Sequence, residues 1–73
     1  MSTDRPIHNA ADLGTFIAER RKRRGLTQQD LADFAGVGRR FLSEIENGKP
    51  TAEIGKILRV LIALGSDLVL RDR

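Results

Sequence analysis

QQDLADFAGVGRRFLSEIEN, residues Gln28 to Asn47, reads as two short helices joined by a tight turn, and the rest of the chain is arranged around it. The spacing predicts a first helix over Gln28–Ala35, with Leu31 and Ala35 at i, i+4 on its buried side. Ala32 falls where two steeply crossing helices touch, a place where a larger side chain holds them apart. Gly36 takes the turn, because a residue without Cβ adopts positive φ at little cost. Val37 follows as an apolar plug. A second helix, N-capped by Gly38 and running from Arg39 to about Asn47, is anchored by Leu42 and Ile45 at i, i+3.

The other side of that second helix carries Arg39, Arg40, Ser43 and Glu44. A helix that buries one stripe and offers these groups opposite has donors and acceptors suited to base edges and phosphates. The bland alternative is a pair of ordinary surface helices in a small bundle. The number of positions that fit the turn spacing together argues against it.

Working outward, Leu26 is an apolar staple before this unit, and Thr27 caps its first helix with Asp30 at N3. Upstream, Asn9 and Asp12 resemble a capping box, so helix 1 starts near Ala10; Leu13, Phe16 and Ile17 form its core stripe and Gly25 ends it. Phe34 lies off the main stripe and is expected to be partly exposed. Residues 1–8 read as a flexible arm in which Pro6 opposes helix; Ile7 is its apolar exception, packing on or pairing with something later in the chain. Downstream, Gly48 stops the second helix of the unit, and Lys49 and Pro50 form a short connection. Thr51 is expected to cap helix 4, Ala52–Leu64.

Ile54, Ile57, Leu58, Leu61, Ile62 and Leu64 cover more of helix 4 than one small domain needs. This predicts a second buried face: a dimer interface containing Leu61, or a central core helix. After Gly65, SDLVLR (Ser66–Arg71) is the one strong strand candidate, with Leu68 and Leu70 pointing one way and Val69 the other. A lone strand needs a backbone partner. Either the same strand from a second copy completes a two-stranded ribbon, or the segment around Ile7 does. The expected architecture is mainly α, with four to five helices: an arm over 1–8, a domain over 9–65 and a dimerisation strand over 66–73 that uses Leu68, Val69 and Leu70.

Composition narrows the function classes. At 73 residues without cysteine, the chain forms one small domain with a modest core, for which a shared dimer core is a natural remedy. Lack of Cys fits a reducing cytoplasm and removes thiolate chemistry. A single histidine, His8, makes no metal site, and no cofactor is expected. No apolar run is long enough to span a membrane, and the first residues carry no secretion signal. Net charge is +3, with Arg20, Arg21, Lys22, Arg23 and Arg24 consecutive. Such a cluster neutralises phosphates, or serves as a solvated helix end that complements the helix dipole. An enzyme is not expected: there is no Gly-rich phosphate loop and no evident carboxylate pair in a pocket. Three Phe without Tyr or Trp give no stacking platform for single strands.

GLTQQDLADFAGVGRRFLSEIENGK resembles the helix-turn-helix of the phage-repressor-like (Xre or Cro/C1-type) regulators, through LTQ entering helix 2, the small Ala32, the Gly36 turn and IENG closing helix 3. The tail KPTAEIGKILRVLIALGSDLVLR is similar to that of the HipB-type antitoxins, including the Y4mF-like group. That resemblance implies a bacterial, cytoplasmic, nucleoid-associated homodimer that represses its own operon at a palindromic double-stranded operator and binds a HipA-type serine/threonine kinase toxin. By the same resemblance, Arg39 and Arg40 reach base edges, with Ser43 and Glu44 one turn on. Glu44 accepts from cytosine N4, or only orients Arg40. Gln28 contacts a phosphate and braces the first residues of helix 3. Asn47 and Lys49 meet the backbone, and Arg21 pairs structurally with Glu46. Two positions depart from the family pattern. Gly38 stands where Ser or Thr is usual, leaving bare N–H groups for a phosphate. Phe41 stands where a polar residue or Tyr is common, and meets a thymine methyl or a sugar of the nucleic-acid backbone, or packs toward helix 4. The alternatives are a free-standing phage-type repressor, or a module that restrains a toxin with DNA binding secondary. A neighbouring gene for a HipA-like kinase favours the antitoxin; a lone gene in a prophage favours the repressor.

Overall fold

Four helices form among residues 4–72, the part of the chain that the computed structural model describes: α1 (Ala10–Arg23), α2 (Gln28–Ala35), α3 (Arg39–Glu46) and α4 (Ile54–Ala63). Each begins where local chemistry favours it. The Asn9 side chain accepts from the Asp12 N–H at 2.8 Å, opening α1. The bond back to Asp12 comes from the His8 N–H, one residue earlier than a regular capping box places it. At α2 the box is complete: Thr27 Oγ1 accepts from the Asp30 N–H and Asp30 Oδ2 from the Thr27 N–H, both at 3.0 Å. The Thr27 backbone N–H, followed by its hydroxyl, holds the Asp30 carboxyl below the ordinary aspartate range.

The core gathers Ile17 of α1, Leu31, Ala32 and Ala35 of α2, Leu42 and Ile45 of α3, and Ile57, Val60 and Leu61 of α4 with Leu64 just beyond it. α1 packs across α3, while α2 touches both α3 and α4. Phe34 points outward, as expected from its place off the stripe.

Three expectations are corrected at the C-terminal half. α4 begins at Ile54, with Glu53 rather than Thr51 at its N-cap and no side-chain cap bond. Ala52 packs against the core, and the chain stays non-helical from Thr51 to Glu53 while it does so. Leu61 is buried in the chain's own core, so it is not on the exposed side of the helix. That side carries Ile54, Leu58 and Ile62, spaced four apart. Among the described residues there is no β-strand. A strand exists only as part of a ladder, and among the described residues no backbone–backbone hydrogen bond joins residues 67–72 to another segment. The tail instead touches the N-terminal arm through a side-chain pair, Arg71 Nη2 to Asp4 Oδ2 at 2.7 Å. Leu68, Val69 and Leu70 are exposed.

The described part of the arm, from Asp4, runs along α1. Arg5 pairs with Glu19 at 2.7 Å, and its guanidinium lies 5.7 Å from the Phe16 ring centre, which Arg20 approaches at 5.2 Å. The hydrogen bond from Arg5 holds the Glu19 carboxyl below its usual range. Ile7 is half-buried in a groove lined by Leu13, Ile45, Ala52 and Ile57, so it packs on the domain and does not pair with the tail.

The α1–α3 crossing depends on a residue that periodicity does not single out. A Cβ built on Gly14 falls 2.3 Å from the Ile45 carbonyl oxygen and 2.8 Å from that of Glu46. Both neighbours are backbone, so α1 has to move away from α3 to admit a methyl group. In contrast, a Cβ on Gly55, in the first turn of α4, meets nothing within 4 Å. Gly14→Ala is therefore expected to cost about 1–3 kcal/mol by overpacking, whereas Gly55→Ala adds about 0.5–1 kcal/mol by restricting the unfolded chain. Urea unfolding of both variants checks this; a Gly14→Ala midpoint at or above wild type would refute the close crossing.

Candidate nucleic-acid interface

The turn between α2 and α3 sets the direction of α3. Gly36 has φ 71° and ψ 35°, a left-handed conformation that L side chains rarely adopt. The chain then reverses, the Val37 N–H donates to the Ala32 carbonyl at 3.0 Å, and Val37 packs on the core. Gly38 follows in an extended conformation with no side-chain cap, leaving the first N–H groups of α3 without a hydroxyl partner.

The far end of α3 is held by a buried ion pair. Arg21 Nε donates to Glu46 Oε2 at 2.7 Å and Nη2 to Glu46 Oε1 at 3.1 Å, while Nη1 donates to the Leu26 carbonyl at 2.8 Å. Gln28 Nε2 adds a third donor to Glu46, at 3.1 Å. The two charged side chains are only 11% and 6% exposed. Arg21 and Glu46 thus take the structural role expected of them. Gln28 braces the last residue of α3, not the first residues expected, because α2 starts beside the Glu46 carboxylate that Arg21 draws in.

With both ends fixed, one side of α3 faces out. At about 100° per residue, Arg39, Ser43, Asn47, Arg40 and Glu44 follow one another around an arc opposite buried Leu42 and Ile45. Arg39 and Gly38 are exposed, and the Arg40 side chain is 92% exposed. Ser43 is half-buried, and its carbonyl accepts from Asn47 Nδ2 at 3.0 Å. Glu44 lies between two cations: Lys49 Nζ at 3.4 Å and Arg40 Nε at 3.8 Å. The Arg40 contact is the one expected; the Lys49 contact was not, since residues five apart share no helical face and only the turn after Glu46 brings them together. Phe41 does not belong to this outward row. It packs against the core with the Lys56 ammonium 5.5 Å from its ring centre, so its place is toward α4.

The basic run divides. Arg20 stacks on Phe16, Arg21 is inside the ion pair and Arg24 lies against Gly65. Lys22 and Arg23 are exposed at the end of α1. Among the described residues, no three His, Asp or Glu side chains gather where they could hold a metal ion. No helix among them is long and apolar enough to cross a membrane.

Residues 17–70 match the model of the helix-turn-helix family. The chain belongs to this family. Over 62 residues it is 48% identical to the uncharacterized helix-turn-helix-type transcriptional regulator y4mF of Sinorhizobium fredii, covering 85% of this chain and 82% of that one. The fold matches HipB in a complex with a 20-mer called O4, with a TM-score of 0.86 over 94% of this chain and 97% of that one, at 23% identity. HipB in a HipA–HipB–O2–O3 complex gives the same score and coverage. At that identity the likeness speaks for the fold. The chain is a DNA-binding transcriptional regulator of the helix-turn-helix type, α2 and α3 being the motif, and its family is generally non-enzymatic.

The buried pair makes a direct test of how the helix-turn-helix is held. Arg21→Ala leaves the Glu46 carboxylate buried with only Gln28 beside it, and breaking such a pair from one side costs about 3–5 kcal/mol. Chemical denaturation is expected to show that loss. A variant within about 0.5 kcal/mol of wild type, the range of ordinary surface substitutions, would remove the pair from its role.

Proposed function

We propose that this regulator is a homodimeric repressor of the HipB-like antitoxin kind: it reads a palindromic operator with α3, controls its own operon, and binds a HipA-type serine/threonine kinase. The observation that carries the DNA part is the outward row of α3, with Arg39 and Arg40 held away from the core by an ion pair behind them. Arg39 and Arg40 contact base edges, with Ser43 and Glu44 between and beyond them. The backbone is met by the open N-terminus of α3 at Gly38, by Asn47 and Lys49, and by Gln28 through whatever donor capacity Glu46 leaves it.

The dimer reading rests on exposed apolar surface. Ile54, Leu58 and Ile62 form a ridge along the outer side of α4, Leu68 lies beside Leu58 and Ile62, and Val69 and Leu70 are exposed after it. Ile62 is 72% exposed in a single copy, and a ridge of this extent favours covering by a partner. A second copy covers it symmetrically and spaces two α3 helices for successive major grooves. The kinase reading is supported by the shared fold with HipB over nearly the whole chain, since HipB forms a complex with HipA.

Binding to the chain's own promoter against scrambled duplex, across a salt series, tests the DNA part. Each Arg that reads a guanine is worth about 1–3 kcal/mol. Arg39→Ala with Arg40→Ala is therefore expected to lose the promoter preference and keep weak, salt-sensitive association. A double mutant with undiminished preference would assign base reading elsewhere. Light scattering tests the assembly. The full chain is expected at twice its monomer mass and, when mixed with a HipA-type kinase encoded beside it, in a larger complex. Deleting residues 67–73 is expected to raise the dimer dissociation constant at least tenfold. A full chain that stays monomeric at micromolar concentration rejects the dimer, and one that leaves the kinase unbound rejects the antitoxin part.

A further inference from the structure

Glu44 is the one acidic side chain in the outward row of α3, and it sits between two of the cations that the DNA reading needs: Lys49 at 3.4 Å and Arg40 at 3.8 Å. Its carboxylate is about one-third exposed and is directed to the same side as Arg40. We infer that Glu44 is a specificity-determining residue that acts by exclusion: it holds Arg40 and Lys49 in the free protein and rejects duplex that turns guanine or thymine toward it, accepting a base with an exocyclic amino group, cytosine N4 first. This inference rests on the DNA-binding reading above and names the base chemistry of that same site.

The argument is electrostatic. When α3 enters a major groove, phosphates and base acceptors compete for Arg40 and Lys49, and Glu44 loses both partners. A carboxylate is acceptor-only. Facing guanine O6 and N7, or thymine O4, it meets further acceptors while lying in the field of the phosphates. Facing cytosine N4 or adenine N6, it regains a donor. The correct site therefore replaces what docking removes, and every other site does not, so discrimination comes from a repulsive element as much as from the arginines. On random duplex Glu44 also cancels one unit of positive charge, which lowers the number of counterions released. Lys49 comes to this position through the turn after α3, so the arrangement depends on the fold and not on helical spacing alone.

Glu44→Gln is nearly isosteric and supplies both a donor and an acceptor. Its ion pairs are exposed or half-exposed, so the fold is expected to survive, checked by an unchanged thermal midpoint. On scrambled duplex the variant is expected to bind about five- to tenfold more tightly than wild type, with a salt slope steeper by about 0.9, the value for one added charge. On single-base-pair variants of the promoter site, wild type is expected to reject guanine and thymine at one position per half-site, and the variant to accept them there. Equal affinity and slope on scrambled duplex for the two proteins would overturn the inference, as would base preferences identical at every position. Wild type that prefers its promoter while those comparisons fail leaves the DNA reading standing; wild type that binds no duplex removes both.

Discussion

The ion pair between Arg21 and Glu46 is the constraint on which the other features depend. It joins the last turn of α1 to the last residue of α3, and through Gln28 and the Leu26 carbonyl it also fixes the entry into α2. Two charges taken this far from water are costly unless their hydrogen bonds are satisfied. Here they are: Glu46 receives three donors, and Arg21 gives its remaining contact to a backbone carbonyl. Such a pair contributes direction more than net stability. Apolar packing of Leu42 and Ile45 allows α3 some rotation about its axis, because methyl groups pack in many ways. A bidentate carboxylate–guanidinium contact allows far less.

That fixed rotation works together with a close backbone approach. Gly14 lets α1 come against the carbonyls of Ile45 and Glu46, at the end of α3 where the ion pair forms. A side chain at 14 separates the helices and pulls Arg21 from Glu46. Packing at one point and charge pairing at another are thus one design, and its consequence is functional: Arg39, Arg40, Ser43 and Glu44 all face away from the core. The basic run is reorganised by the same geometry. Consecutive in sequence, its members point in different directions on a helix: Arg20 lies over Phe16, Arg21 is inside the ion pair, Arg23 acts on the Glu19 carboxyl and Arg24 lies against Gly65. The electrostatic surface is accordingly weaker at α1 than five adjacent cations suggest.

α4 shows how an apolar helix serves two sides. Ile57, Val60, Leu61 and Leu64 close the core, while Ile54, Leu58 and Ile62 lie outside it. Excess apolar surface was legible in the composition of this segment. Which residue faces which way was not, because the helix starts two residues later than a Thr51 cap implies and because Leu61 lies at the boundary between the two stripes. Val60 is fully buried beside them.

Sequence alone determined the elements with local causes. Thr27 with Asp30, Asn9, Gly36 and Gly48 act within a few residues of themselves, so the starts and stops of the first three helices, the two-helix unit and its outward arginines could be read from spacing. The Arg21–Glu46 pair was legible only through family resemblance, since nothing in spacing links residues 25 apart. Tertiary structure alone decided the close crossing at Gly14, the turn of Phe41 toward Lys56 and the move of Gln28 to the far end of α3. It also decided the state of the tail. SDLVLR has strand chemistry, but strand formation is a property of two backbones, and among the described residues no second backbone is hydrogen-bonded to it. Each of these depends on distances between segments that the chain brings together only on folding, and local propensity carries no information about such distances.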